Sequence, residues 1–173
     1  MSSLEMYREV LLAHNEQPHH FYALPQPTHA AHGHNPLCGD EITVHLRIDS
    51  DQIKEISFTG QGCAICKASA SLMTLRLEGL TTADAEKDAQ NVLAWLNNAT
   101  VEQPDNLCEL EALLGVRKFP MRIKCATLAW HAFLKALNNP TSDGGEGSTC
   151  GCCGNGSASD GDKHTNGSCG CGA

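Results

Sequence analysis

Apolar and polar residues recur along this chain at two spacings, and the switch between them separates strands from helices. Ile42, Val44, Leu46 and Ile48 alternate strictly with polar residues, the pattern of a strand that buries one face. Asp49, Ser50 and Asp51 supply turn residues, and Gln52 to Thr59 can return as an antiparallel partner, so a hairpin is predicted. Elsewhere the spacing is helical. Leu4, Tyr7, Val10 and Leu11 predict a short amphipathic helix over residues 3–14. Ile65, Ala68, Leu72 and Leu75 mark one face of a second helix that stops at Gly79, where glycine accepts the left-handed conformation. Thr81 with Asp84 three positions on is a capping signal for a third helix ending near Asn97. Leu107, Leu110, Leu113 and Leu114 predict a short helix closed by Gly115. The last helix starts after Pro120, with Ile123, Thr127, Trp130, Phe133, Leu134 and Leu137 around its inner side. Between the first helix and the first strand lie four of the seven prolines and many histidines. That segment is expected to be irregular, because proline removes donors and biases its neighbours away from helix.

Strands first and helices later define an α+β class. The pattern ends near Leu137. From Asn138 to Ala173 there is no Val, Ile, Leu, Met, Phe or Trp, and five cysteines stand among glycine and serine. Such a segment cannot bury enough apolar surface to offset its ordering entropy. The expectation is therefore a globular unit over residues 1–137 and a flexible, disordered Gly/Ser/Cys-rich tail over 138–173.

Charge narrows the partners. Twelve basic against 20 acidic residues give −8 with histidine neutral, which repels nucleic acid and anionic membrane surfaces. The opening MSSLEMYREVLL has no positive leader, and no run approaches the roughly 18 apolar residues of a membrane helix, so a cytoplasmic protein is expected. In a reducing compartment ten cysteines read as ligands or nucleophiles rather than disulfides.

Three of them stand at junctions between elements. Cys38-Gly39-Asp40 precedes the first strong strand, Cys63 lies between a glycine loop and a helix, and Cys125 falls in the opening turns of the last helix. A thiol near a helix N-terminus feels positive potential, which favours the thiolate that binds metal or attacks sulfur. Three cysteines and one carboxylate supply four donors, the number a tetrahedral zinc ion takes. On these residues alone, burial as small apolar side chains accounts for the cysteines equally well.

Three blocks, NPLCGDEI at 35–42, FTGQGCAICKASASLMT at 58–74 and LLGVRKFPMRIKCATLAW at 113–130, occur in this order. Cys63 follows Cys38 by 25 residues, and Cys125 follows Cys63 by 62. With the opening LEMYREVLLAHNEQP, they resemble the SufU branch of the SufU/IscU/NifU family of iron-sulfur cluster assembly proteins over about residues 4–137. The resemblance implies a small antiparallel sheet packed against several helices. It also implies a site in which Cys38, Asp40, Cys63 and Cys125 bind zinc, or iron in a transient [2Fe-2S] cluster. A SufS-type, pyridoxal-phosphate cysteine desulfurase would be the partner, and a downstream scaffold or apo-protein the recipient. IscU-type members carry histidine immediately before the last cysteine, whereas this chain has Lys124, a poor ligand while protonated. That difference, and about 20 extra residues between the second and third blocks, favour the SufU branch. The implied activity is sulfurtransferase-like, with Cys38 as the nucleophile that accepts persulfide sulfur. Arg122, one turn before Cys125, would steady the thiolate or pair with a partner carboxylate, with a plain surface salt bridge as the alternative. A scaffold for a transient cluster, a passive zinc module and a thiol oxidoreductase built on Cys63 and Cys66 are the competing readings.

Other residues depart from the pattern. Cys66 completes Cys63-x-x-Cys66 and could reach the metal, stand in for Asp40 or pack inward. With four other donors filling a tetrahedron, packing is favoured. Cys108 on a leucine-rich helix is expected in the core. Cys150, Cys152, Cys153, Cys169 and Cys171, with His164 between them, could hold a soft metal or relay sulfur, with an unstructured extension of incidental redox sensitivity as the alternative. His14, His19, His20, His29, His32 and His34 are expected to be solvated loop residues. Trp95 and Trp130 fit helix core faces.

Overall fold

A computed structural model describes residues 3–141, with side chains described except at residues 3, 4 and 6. The tail cysteines and His164, and the expected side-chain role of Leu4, lie outside the described residues. The chain runs α1 (Ser3–Glu16), β1 (His29–Asn35), β2 (Asp40–Asp49), β3 (Gln52–Gln61), α2 (Ala64–Leu77), α3 (Thr82–Asn97), a 3₁₀ segment (Cys108–Lys118) and α4 (Pro120–Leu137).

Alternation in β2 does what its spacing dictates: Ile42, Val44 and Leu46 are fully buried, and Ile53, Ile56 and Phe58 of β3 join them. The two strands pair antiparallel from Glu41↔Gln61 to Asp49↔Gln52. Ser50 and Asp51 both have positive φ, the backbone of the type I′ turn that suits a two-residue hairpin. On the opposite face Arg47 bonds Glu55 across the strands at 2.5 Å, so that side meets water.

The expected hairpin is one half of a three-stranded sheet in the order β1-β2-β3. Residues 29–35 form a strand, not an irregular segment, paired antiparallel with β2 from His29↔Leu46 to Asn35↔Asp40. Its inward positions are Ala31, Gly33 and Asn35, too small or polar to show an apolar alternation. Small residues let α4 lie close: a Cβ at Gly33 would come within 3.2 Å of Ala132 and Leu128.

Helix α2 is buried on nearly every side, as a helix with apolar and small residues all round must be. It stands against α4 and α1. Trp130 Nε1 donates to Ser69 Oγ at 3.0 Å, and Ser69 donates to Ala126 O at 2.5 Å, which fixes α2 against α4. Leu75 is 43% exposed, contrary to its place in the expected inner face. Thr81 caps α3 as expected, accepting from Asp84 N–H at 3.1 Å. Along α4 the alanines 126, 129, 132 and 136 join Trp130 and Phe133 inside, while Ile123, Leu134 and Leu137 stand at the margin. Both tryptophans are fully buried.

The leucine segment is a 3₁₀ run that continues past Gly115 to Lys118. Gly115 does not close it; instead the Tyr7 ring lies against this glycine, where a Cβ would fall 2.7 Å from Cζ. Cys108 is exposed rather than core, because it opens the segment at φ +46°.

Candidate metal centre

The β1–β2 connection turns on Asn35. Its side-chain oxygen accepts from Leu37 N–H at 3.2 Å, and its carbonyl accepts from Cys38 and Gly39 N–H at 3.3 and 2.8 Å. Gly39 completes the turn at φ +68°, a conformation glycine takes freely. The loop leaves Cys38 exposed and delivers Asp40 as the first residue of β2. Asp40 has the same pleat parity as Ile42, Val44 and Leu46, so its carboxylate enters the buried face, where it is 2% exposed.

A buried carboxylate needs donors. Asp40 Oδ1 accepts from Cys63 N–H at 2.9 Å, and Cys63 is the N-cap of α2, so the acid faces the positive end of a helix. Gly62 permits this approach: a Cβ there would come within 3.2 Å of both Asp40 Oδ1 and Cys66 Sγ.

Cys125 comes from the second turn of α4 and is 2% exposed. Its Sγ lies 3.2 Å from Cys38 Sγ and 3.8 Å from Met121 O, and Asn35 Nδ2 donates to it at 3.9 Å. The ligand atoms of Cys38, Asp40 and Cys125 all lie within 4.8 Å of one another. Cys63 joins through the carboxylate, its Sγ 3.7 Å from Asp40 Oδ2. Three of the four residues thus form one compact group from a hairpin loop, a strand start and α4, and Cys63 at the N-cap of α2 adjoins it through Asp40.

Burial pushes the Cys125 thiol well up, helped by its hydrogen bonds to Cys38 and Asp40 and by the charges of Cys63 and Asp40. At this thiol burial outweighs the helix N-terminus that was expected to favour the thiolate. Cys66 is raised in the same way, by burial first and then by the charges of Asp40, Cys63 and Cys38. Four acidic groups therefore share the site with the Cys63 N–H and the Asn35 amide as donors, and Asp40 has no ion pair among the described residues. A divalent cation would match the donors of such a set. Zinc–sulfur bonds of about 2.3 Å place tetrahedral sulfurs roughly 3.8 Å apart, so the compact group of Cys38, Asp40 and Cys125 fits zinc, with Cys63 beside it through Asp40 as the fourth donor at hand.

The remaining expected residues fall as follows. Arg122 is exposed in the first turn of α4, where its charge is felt by Tyr7, and Lys124 is exposed. Cys66 is fully buried beside Gly62. Among the described residues no histidine joins the Cys38–Asp40–Cys125 group. His14 is neither solvated nor in a loop. It is 4% exposed at the end of α1 and meets Ser71 Oγ at 2.8 Å and Glu109 Oε2 at 3.1 Å. His29, His32 and His34 lie on β1, and His19 and His20 follow α1. Asn35 is a site residue that the sequence reading missed, although Asn-Pro before a strand is a turn signal. Leu37, Phe119 and Met121, all more than half exposed, place apolar surface beside Cys38 and at the start of α4.

Residues 6–126 match the family described as NifU-like N terminal domain. The iron-sulfur cluster assembly scaffold protein IscU of Streptococcus pyogenes serotype M1 is 39% identical over 137 residues, covering 76% of this chain and 82% of that protein. The zinc-dependent sulfurtransferase SufU of Bacillus subtilis (strain 168) is 35% identical over 132 residues, covering 76% and 89%. Among solved structures, an iron-sulfur cluster assembly scaffold protein for the SUF system from Fervidobacterium islandicum AW-1 superposes with a TM-score of 0.69 at 28% identity, covering 79% of this chain and 99% of that one.

Proposed function

This chain belongs to the NifU-like N-terminal domain family of iron-sulfur cluster assembly proteins, and from that premise we propose that it accepts persulfide sulfur from a cysteine desulfurase at Cys38. The observation that carries the proposal is the grading of exposure across the site. Cys38 is open to solvent, Cys63 is half-buried, and Asp40 and Cys125 are buried. A partner's persulfide can reach the first and not the last.

Cys38, Asp40, Cys63 and Cys125 would hold zinc, which when bound keeps their sulfurs deprotonated and masks them from oxidants. The chain's own residues do the rest. Asn35 fixes the loop that carries Cys38, and Cys63 N–H holds Asp40 in the site. Freed at docking, the Cys38 thiolate attacks the outer sulfur of the desulfurase persulfide. The donor's S–S bond breaks, its cysteine leaves as thiolate, and Cys38 carries the new persulfide. The exposed apolar residues Leu37, Phe119 and Met121 support docking of a protein at this edge. Arg122 in the first turn of α4 is assigned to a partner carboxylate, and Lys124 in place of an imidazole supports a zinc-held acceptor. The tail cysteines, assigned a metal or sulfur role on composition alone, are tested by deleting residues 142–173 and counting bound zinc per chain.

Purified chain and a SufS-type desulfurase test the proposal together. Cys38→Ala is expected to abolish the stimulation of cysteine turnover, and unchanged turnover would overturn the sulfur-acceptor role. Similarity to proteins named IscU scaffolds supports a second reading, in which the same thiolates hold a transient [2Fe-2S] cluster. Anaerobic reconstitution followed by transfer to an apo-ferredoxin separates the two, since a pure sulfur acceptor neither builds nor donates a cluster.

A further inference from the structure

A fifth acidic side chain, Cys66, stands beside the Cys38–Asp40–Cys125 group at the end of the sheet without being part of it. Cys66 lies one helical turn after Cys63 on α2 and is fully buried, so it closes the site from the interior just as Cys38 closes it from solvent. Its Sγ and Asp40 Oδ1 both sit 3.2 Å from the point a Cβ of Gly62 would occupy. Among the described residues the Cys66 thiol has no hydrogen-bond partner. A buried thiol without a partner packs as a small apolar group, and beside a carboxylate and other sulfurs it is also a soft donor that a shared metal can recruit.

The ligands differ in how firmly the fold holds them. Asp40 is held by the Cys63 N–H, and Cys125 is buried under the Asn35 amide. Cys38 sits on an exposed loop, and among the described residues its thiol has a hydrogen bond with Cys125 alone. Of the four, Cys38 is the one that can leave without breaking the core.

We propose that Cys66 is a reserve ligand, which enters the metal's coordination sphere when Cys38 leaves it, so that the metal stays four-coordinate while Cys38 reacts. This rests on the zinc reading of the preceding section and adds to it a residue at which that reading assigns no role. The exchange balances without an oxidant: Cys66 gives up its proton on binding, and the thiolate expelled from the sulfur donor takes up one proton. At rest Cys66 is not a ligand, and the site holds three sulfurs and one oxygen.

Cobalt(II) counts the sulfurs, because each coordinated thiolate adds to the near-ultraviolet charge-transfer band of a tetrahedral site. The test uses the full chain with Cys150, Cys152, Cys153, Cys169 and Cys171 changed to serine, so that only the folded site contributes. In this background, and with Cys66→Ala or Cys66→Ser added, cobalt is expected to give the same three-thiolate intensity. Cys38→Ala is expected to keep that intensity, because Cys66 supplies the third sulfur. Cys38→Ala with Cys66→Ala, or with the nearly isosteric Cys66→Ser, is expected to fall to roughly two-thirds of it and to lose a further ~10–100-fold in cobalt affinity. If Cys38→Ala alone drops to two-thirds and changing Cys66 has no further effect, Cys66 is a packing residue and the reserve-ligand proposal is overturned while the metal site stands. If the background chain gives no tetrahedral cobalt spectrum, the metal reading fails and takes this inference with it.

Discussion

Helix α2 serves two clusters of titratable side chains, one at its N-terminus and one at its middle, which differ in how fully their polar atoms are met. At the middle, Ser71 Oγ accepts from His19 N–H at 2.8 Å and lies 2.8 Å from His14 Nδ1, and His14 Nε2 lies 3.1 Å from Glu109 Oε2. Both ring nitrogens of His14 are met by a hydrogen-bonding partner. At the N-terminus, three thiols and a carboxylate face two N–H donors. A completed network ties α1, α2 and the 3₁₀ segment together and needs nothing further. An incomplete acidic one is stable only with its protons retained or with a cation supplied from outside.

Substitutions should separate the two clusters cleanly. Cys125→Ser is expected to weaken zinc binding by more than ~100-fold in competition with a chromophoric chelator, since it removes a ligand and not a neighbour of one. The melting temperature of the zinc-free protein should change little. His14→Ala should do the reverse, lowering stability in urea by about 2–3 kcal/mol through a cavity and a stranded Ser71 hydroxyl, with zinc affinity unmoved. A loss of zinc affinity in His14→Ala would join the clusters that are here held to be separate. Asn35→Ala removes an amide contact to Cys125 and the Leu37 turn bond, for an expected loss of roughly 10-fold in zinc affinity.

The smallest expected effect is on pH dependence. In the zinc-free protein Cys66 and Cys125 keep their protons to a higher pH than the ordinary 9.0 they have when the chain unfolds. The unfolded chain therefore loses protons first, and stability should fall as pH rises above 9. Zinc reverses the sense, because its ligands must be deprotonated, so affinity should fall as the solution is made acidic. Chemical denaturation of both forms from pH 7 to 10 checks the sign. A flat profile for the zinc-free protein would mean that these thiols are not held protonated by burial.

What was legible in the sequence was whatever rests on large apolar side chains at a fixed period or on turn chemistry. The strictly alternating β2 and the Thr81 cap stand where they were expected. Residues 29–35 were not legible as a strand because the inward positions Ala31, Gly33 and Asn35 are chosen for the close approach of α4, not for hydrophobicity. Gly115 was misread for a related reason: it makes room for the Tyr7 ring and ends nothing. At the site, the residues alone left Cys38, Cys63 and Cys125 open to a packing role, and it was the resemblance of the three motif blocks that singled them out with Asp40. Which thiol is exposed depends on the Asn35 loop, and the room that Cys66 and Asp40 share depends on Gly62. Both are three-dimensional facts with only a faint trace in the NP and GQG dipeptide and tripeptide signals. The alkaline shift of Cys125 was missed because helix position alone says nothing of desolvation.

Persulfide mapping tests the central claim most directly. The zinc-loaded chain is incubated anaerobically with a cysteine desulfurase and cysteine, its thiols and persulfides are trapped by alkylation, and the peptides are weighed. The account predicts one added sulfur on the peptide carrying Cys38, and none on those carrying Cys63 or Cys125 at early times. Early sulfur on Cys63 or Cys125 with Cys38 unmodified, or no protein persulfide at all while the desulfurase turns over, would contradict it.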